Sequence, residues 1–260
     1  MRIALCISGQ PRTWKKAYDN WLEKILPGEE KDIFFHFWDY NTLPTIIKTQ
    51  PGIKNIPDVP ITPEERTDIV CTLNPKKHIF DSRNLNPVNG EFDKSLLSDW
   101  VDEPLGWWCR SQYYSLLQSA MLKRQYEIEN KFEYDIVFRM RTDLYFLNNL
   151  NLPNEIKPNE LYSKSNGWMD NVETFMIGDT FYFSDSYTYD QVANFGNALK
   201  YIDTRHTVSS EIKCPPPEVA LYNYLCSIGV KNVSCPQNIK ILRNQDYVDI
   251  RGGLLPYEII

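Results

Sequence analysis

Histidine is scarce in this chain: His36, His78 and His206 are all it has in 260 residues. Triads built on an imidazole base and His-rich metal sites are therefore poorly supplied. The six cysteines (Cys6, Cys71, Cys109, Cys214, Cys226 and Cys235) form no C-x-x-C pair. That argues against a zinc site, and a domain of this size needs no disulfide framework. There is no G-x-G-x-x-G after the first apolar run, no G-x-x-x-x-G-K-[ST], no H-E-x-x-H and no G-x-S-x-G. Dinucleotide binding of the usual type, P-loop phosphoryl transfer and serine-hydrolase chemistry all lose ground. Positive charge is lacking too: the formal net charge is -6, with no basic stripe to neutralise a nucleic-acid backbone. No apolar stretch approaches the ~18 residues of a membrane span. The N-terminal run turns polar at Ser8, too soon for a secretory signal peptide. The expectation is a soluble cytoplasmic protein with no nucleic-acid partner and no transmembrane segment.

What is present reads as a globular α/β chain. Arg2–Ser8 is a short apolar run ending at Gly9-Gln10-Pro11, a buried strand entering a tight loop. Trp14, Ala17, Tyr18, Trp21, Leu22 and Ile25 have the spacing of an amphipathic helix, stopped by Pro27-Gly28. Asp32–Trp38 is a second apolar strand. Strand, helix, strand predicts a βαβ unit whose two strands are parallel. A short helix is predicted over 63–73, a strand over 77–82 and a loop over 83–105. The longest helical signal spans 106–131, with an apolar face of Leu116, Leu117, Ala120, Met121, Leu122 and Ile128. Residues 175–183 read as a strand pair, or a strand with a turn at Gly178-Asp179. Helices follow over 187–202 and 217–228, then short strands over 230–234 and 239–242. No linker separates a second lobe, so 1–260 is read as one domain, with a first half over 1–150 and a second over 151–260.

The chemistry concentrates at one place. Residues 134–146 (YDIVFRMRTDLYF) read as a strand whose apolar Ile136, Val137 and Phe138 give way to charge at its carboxyl end. Ligands of open α/β sheets bind outside such strand ends. Arg139, Arg141 and Asp143 alternate, so along one strand they would project to one side. Three charges there are costly unless they face a cleft or pair with one another. One reading is an internal Arg–Asp ion pair. The other is an Arg and an Asp aimed at a diphosphate and its divalent cation, since Mg²⁺ or Mn²⁺ bridges phosphate oxygens and one or two carboxylates. His36, inside an apolar strand, reads as a hydrogen-bonded core histidine.

The opening RIALCISGQPR, the βαβ start and the long helix feeding DIVFRMRTDLYF resemble the GT-A class of nucleotide-sugar-dependent glycosyltransferases. The chain also resembles the small bacterial and viral members whose D-x-D motif is replaced by Arg-x-Asp. The resemblance implies a GT-A-like (Rossmann-like) mixed sheet, mostly parallel and flanked by helices. It implies a nucleotide-sugar donor bound by the first half and a glycan or glycoconjugate acceptor bound by the second. Here the motif is Arg141-Thr142-Asp143, so only the last carboxylate of D-x-D is kept; Asp143 would hold a Mn²⁺ or Mg²⁺ ion, while Arg141 meets phosphate. By the same resemblance Ser8, Gly9, Gln10 and Arg12 lie near the nucleotide, with Gly9 admitting the backbone and Arg12 meeting phosphate. Asp39 matches an acidic residue that contacts base or ribose, and Arg110 and Gln112 are donor contacts. Asp179 would touch the sugar, and Glu218, in the first turn of its helix, would be the acceptor-side base. A nucleotidyltransferase that makes sugar nucleotides and a non-catalytic carbohydrate-binding protein are the alternatives. The first would need a Gly-rich phosphate loop, of which Ser8-Gly9-Gln10 is a meagre version.

Overall fold

The structure is a computed structural model describing residues 1–41, 59–82, 104–165, 177–198, 217–235 and 237–242. β1 (Ile3–Gly9) is buried from Ile3 to Ser8. Its side chains divide by period two between two apolar layers. Ala4 and Cys6 join one layer, and Ile3, Leu5 and Ile7 join the other. α1 (Trp14–Lys24) buries Trp14, Ala17 and Trp21 in the second layer and returns the chain to β2 (Lys31–Trp38). β2 lies parallel to β1, as a right-handed crossover through a helix requires.

β3 (Tyr40–Asn41) and β4 (Val59–Pro60) make a small antiparallel ribbon. α2 (Pro63–Leu73) starts with a capping box: Thr62 and Glu65 each satisfy the other's backbone N–H, and Pro63 opens the helix. β5 (Lys77–Asp81) then pairs parallel to β2. α3 (Pro104–Asn130) packs across β1 and β2 and delivers the chain to β6 (Ile136–Met140), parallel to β1 on its far side. β7 (Leu144–Phe146) follows. Next come β8 (Glu160–Ser165), β9 (Ile177–Ser184), α4 (Ser186–Ala193), α5 (Phe195–Ala198), α6 (Pro217–Ser227), β10 (Lys231–Ser234) and β11 (Ile239–Ile241).

The main sheet runs β10-β8-β9-β6-β1-β2-β5, and β11 pairs with β7 in a small sheet of its own. β9 is antiparallel to both neighbours, whereas β10–β8, β6–β1, β1–β2 and β2–β5 are parallel. This is the mixed, mostly parallel sheet expected, with α1 and α2 on one face and α3 to α6 on the other. No helix among the described residues is long and apolar enough to cross a membrane.

Four sequence expectations are corrected. Residues 134–146 are not one strand: β6 ends at Met140, and Thr142-Asp143 turn before β7. Arg139 therefore does not share a strand face with Arg141 and Asp143. Breaking the strand spares the sheet three buried charges in a row and lets Arg141 fold back on Asp143. Gly178-Asp179 is not a turn, because β9 continues through it. The helix expected over 187–202 breaks at Asn194, and α5 restarts pressed onto α3. A Cβ on Gly196 would come 2.7 Å from the Tyr113 carbonyl oxygen, so only glycine permits that approach. Finally, the apolar face expected for α3 is buried only in part, at Leu116 and Ala120. Met121 and Ile128 are exposed, while Tyr113, Leu116, Ala120, Lys123 and Glu127 are buried. Lys123 and Glu127 tolerate this position because they bond each other as well as Ser186, and Lys123 also pairs with Asp190.

Candidate functional site

The chain builds outward from β1 to β2 and β5, then crosses back to place β6 on β1's other side. The order reverses between β1 and β6, so their carboxyl ends flank a topological switch point, the usual ligand crevice of open α/β sheets. Two loops meet there, Gly9–Thr13 after β1 and Arg141–Asp143 after β6.

Each loop is pinned by specific bonds. Gly9 has φ +115, a conformation that disfavours any side chain, and its N–H donates to Ser115 Oγ of α3 at 2.8 Å. Arg12 also stands at positive φ, 41°, unusual for a residue with a Cβ and a form of strain that clusters at functional sites. The Thr142 hydroxyl donates to the Gln10 carbonyl and ties the loops together. Leu242 N–H, just beyond β11, donates to the Asp143 carbonyl at 2.6 Å. From α1, Trp21 Nε1–H donates to the Leu144 carbonyl, and Asn20 closes a two-bond clasp on Phe146.

On this frame sits Asp143, its side chain 3% exposed, between two guanidiniums. Arg141 grips it with a fork, Nε to Oδ1 at 2.9 Å and a terminal nitrogen to Oδ2 at 2.7 Å. Arg12 donates to Oδ2 at 2.9 Å and to the Gln10 side chain at 3.2 Å. Burial alone would raise the Asp143 pKa, but the charges and hydrogen bonds of Arg141 and Arg12 outweigh it and hold the carboxyl well below the ordinary range. The carboxylate is sealed in, whereas the guanidiniums remain 23% and 38% exposed. The trio holds one negative and two positive groups, with the guanidiniums on its outer side. Such an arrangement suits an anion at the strand ends.

It does not suit a divalent cation. Both Asp143 oxygens already face guanidinium N–H groups, and a cation there would meet two like charges. Among the described residues no group of three His, Cys, Asp or Glu side chains is placed to hold a metal.

Other anticipated residues fall at the rim. Ser8, next to last in β1, is buried, and its Oγ makes no hydrogen bond with the described residues. Asp39 follows β2 and accepts from Arg66 at 3.2 Å. Arg110 and Gln112 lie in the part of α3 that begins at the site; the Arg110 side chain falls outside the described residues, as do those of Asp179 in β9 and Glu218 in the first turn of α6.

Sequence reasoning missed three contributors. Arg66 is one, and Thr142 another. The third is a relay from the buried Ser115 and His36 to the part-exposed Asp81. Ser115 Oγ lies 2.8 Å from His36 Nδ1, and His36 Nε2 lies 3.3 Å from Asp81 Oδ2, which also accepts from Tyr114 at 3.2 Å. Ser115 is wholly buried and its oxygen already serves Gly9, so it is a structural pivot rather than a nucleophile. A serine on a mid-helix face offers no signal of this in sequence. His36 is the hydrogen-bonded core histidine anticipated.

No family model matches the chain, and no curated protein does. Among solved structures it is similar to the galactosyltransferase LgtC, crystallised with donor and acceptor sugar analogues, at 12% identity and a TM-score of 0.44. That match covers 90% of this chain and 73% of the other. At this distance the likeness decides neither a substrate nor a residue's role.

Proposed function

We propose that the chain is a glycosyltransferase that moves a sugar from a nucleoside-diphosphate donor to a hydroxyl of a glycan or glycoconjugate. The observation that carries this reading is the meeting of two outward guanidiniums on one sealed carboxylate at the switch point of the sheet. In such a transfer the bond between the anomeric carbon and the phosphate oxygen breaks, and negative charge grows on the departing diphosphate. Arg12 and Arg141 supply fixed positive charge where it grows, already oriented by Asp143. Gly9, without a side chain, lets the backbone come close to that group, and Ser8 and Gln10 flank it. Asp39, Arg110 and Gln112 border the donor side.

A Mn²⁺ or Mg²⁺ ion at Asp143, which the resemblance implies, does not fit a carboxylate whose two oxygens already face guanidinium N–H groups. Glu218, held in the first turn of α6 after Pro217, is the proposed base for the acceptor hydroxyl; Asp179 on β9 is the other acidic group of that half.

The test is release of nucleoside diphosphate from a panel of sugar nucleotides, with EDTA and with added Mn²⁺. Arg12→Ala and Arg141→Ala should each cut turnover at least tenfold. Glu218→Gln should lower it by roughly 10² to 10⁴ with donor binding unchanged. Undiminished turnover in both arginine variants would overturn the assignment. Activity that survives EDTA is the expected result.

A further inference from the structure

The turn that carries Arg12 stands against its own local preferences. Trp14 N–H closes it onto the Pro11 carbonyl at 3.0 Å, which leaves Arg12 and Thr13 as its central residues. Arg12 has φ 41, a backbone state that residues with a Cβ rarely adopt. Thr13 is the N-cap of α1, where a threonine hydroxyl ordinarily accepts from the helix's first N–H groups. Here it accepts from none of them, because its ψ of 19 is not the extended backbone that capping needs. Such a turn persists only where contacts from elsewhere in the chain determine it.

Those contacts close a ring. Arg12 donates to the Asp143 carboxylate at 2.9 Å. The Asp143 carbonyl accepts from Leu242 N–H at 2.6 Å. The Leu242 carbonyl accepts from the Thr13 hydroxyl at 3.4 Å, and Thr13 follows Arg12 in the chain. Leu242 thus spends both of its backbone polar groups on joining the loop after β1 to the turn after β6. It is fixed from behind, because β11 pairs with β7 from Ile239 to Ile241. α1 in turn holds β7 through Trp21 and Asn20. The other tie between the two loops, from the Thr142 hydroxyl to the Gln10 carbonyl, bears on Gln10 and not on Arg12.

We propose that Leu242 is a positioning residue, whose backbone holds Arg12 beside Arg141 so that both guanidiniums meet one diphosphate. The assignment rests on the transferase reading for that ligand. Its own claim is narrower: the strained Arg12 turn needs Leu242, and binding reads this without turnover. Released from Leu242, Thr13 is free to take the extended backbone of an ordinary N-cap. Arg12 then loses its strained conformation and its place on Asp143, and Arg141 is left to meet the diphosphate alone.

The experiment is calorimetric titration of the full chain with inorganic pyrophosphate, beside thermal unfolding of the same samples. Replacing the amide of Leu242 by an ester deletes its N–H and nothing else of the side chain, and should weaken pyrophosphate roughly three- to tenfold. Thr13→Val keeps the shape and the β-branch, and should weaken it by a similar factor. Thr13→Ser, which keeps the hydroxyl, should bind as wild type does. The ester combined with Thr13→Val should bind no worse than the weaker of the two alone, because both cut one link. Losses that add in full overturn the proposal, since the two groups then act separately. A lowered Tm with unaltered affinity makes Leu242 a strut and overturns it as well. Should the ester protein fail to fold, Thr13→Val against Thr13→Ser decides, and equal affinities overturn it. If Arg12→Met loses pyrophosphate while Thr13→Val keeps full affinity, the transferase reading stands and this one falls. If wild type binds no pyrophosphate, both fall.

Discussion

Two buried carboxylate clusters, built from the same kinds of group, do opposite things in this molecule. Beneath α3, Glu127 lies between Lys123 and Ser186, with Asp190 on the far side of the lysine; Lys123 and Glu127 are both wholly buried. At the strand ends Asp143 is as deeply buried, but its arginines keep 38% and 23% of their side chains in solvent. The first cluster buries its lysine and glutamate completely and meets solvent only through Asp190 and its partner Arg124. Glu127 even caps the Tyr134 N–H at 2.9 Å, joining the end of α3 to the approach of β6. The second uses its carboxylate to aim cations outward. The buried lysine and glutamate fix architecture, whereas the two arginines present charge at the strand ends.

The comparison is broken most severely at Lys123. Lys123→Met leaves Glu127 and Asp190 with only Arg124, at 3.6 and 3.8 Å, as a cation, and should cost about 3–5 kcal/mol in urea unfolding. Donor binding per folded molecule should stay as in wild type. If the variant instead weakens binding at full stability, the sealed cluster is part of the site and the distinction fails.

Asp143→Asn should reverse that pattern. The arginines can turn to water, so the stability loss is smaller, about 1–3 kcal/mol, while turnover should fall at least a hundredfold. The acid range adds a check. The carboxyl is held below its unfolded value of about 3.9, so its contribution is complete above that pH and is lost as the pH falls further. The wild-type protein should therefore lose stability on acidification more steeply than Asp143→Asn. Parallel acid curves for the two would mean that the arginines do not hold Asp143 in solution.

Much of the frame was legible because apolar runs speak plainly. β1 and β2 are continuous buried strands, and α1 buries Trp14, Ala17 and Trp21 as its spacing says. Asp143 was legible too, as charge directly after such a run. Its pairing was open in the sequence, and the structure takes the ion pair between Arg141 and Asp143 that alternation allowed. The break after Met140 was hidden because it contains no glycine or proline. Nothing in the sequence around Lys123 and Glu127 marks them for burial; only the arrival of Ser186 and Asp190 from α4 makes it tolerable. Arg139 was read with Arg141 for the same reason, that a strand's end is set by partners far along the chain.

At an intermediate scale, Ser115→Ala removes the acceptor of Gly9 N–H and should cost about 1–2 kcal/mol. Donor affinity should fall with it, since the loop carrying Gln10 and Arg12 loses its tether. Unchanged donor affinity would show that Arg12 is placed by Asp143 alone.

The smallest expected effect is a pH dependence that separates the relay from the arginine cluster. Burial lowers the pKa of His36, against the opposing pull of Asp81 beside Nε2, so the ring is neutral at pH 7. A neutral ring facing a carboxylate carries its proton on Nε2, and the Ser115 hydroxyl, whose oxygen receives Gly9 N–H, has two acceptors for its one proton, the His36 carbonyl at 3.0 Å and Nδ1 at 2.8 Å. The folded pKa lies below the unfolded value of about 6.5, so the folded state binds this proton less readily than the unfolded chain. Stability from this group is therefore complete above about pH 6.5 and declines as the pH falls below it. His36→Asn should remove that decline at mildly acid pH while leaving the steeper loss below pH ~4 that belongs to Asp143. Two separable acid phases in the Tm profile, each abolished by one variant, are the expected result. A mild-acid phase that persists in His36→Asn would assign it to another group and leave His36 a packing residue.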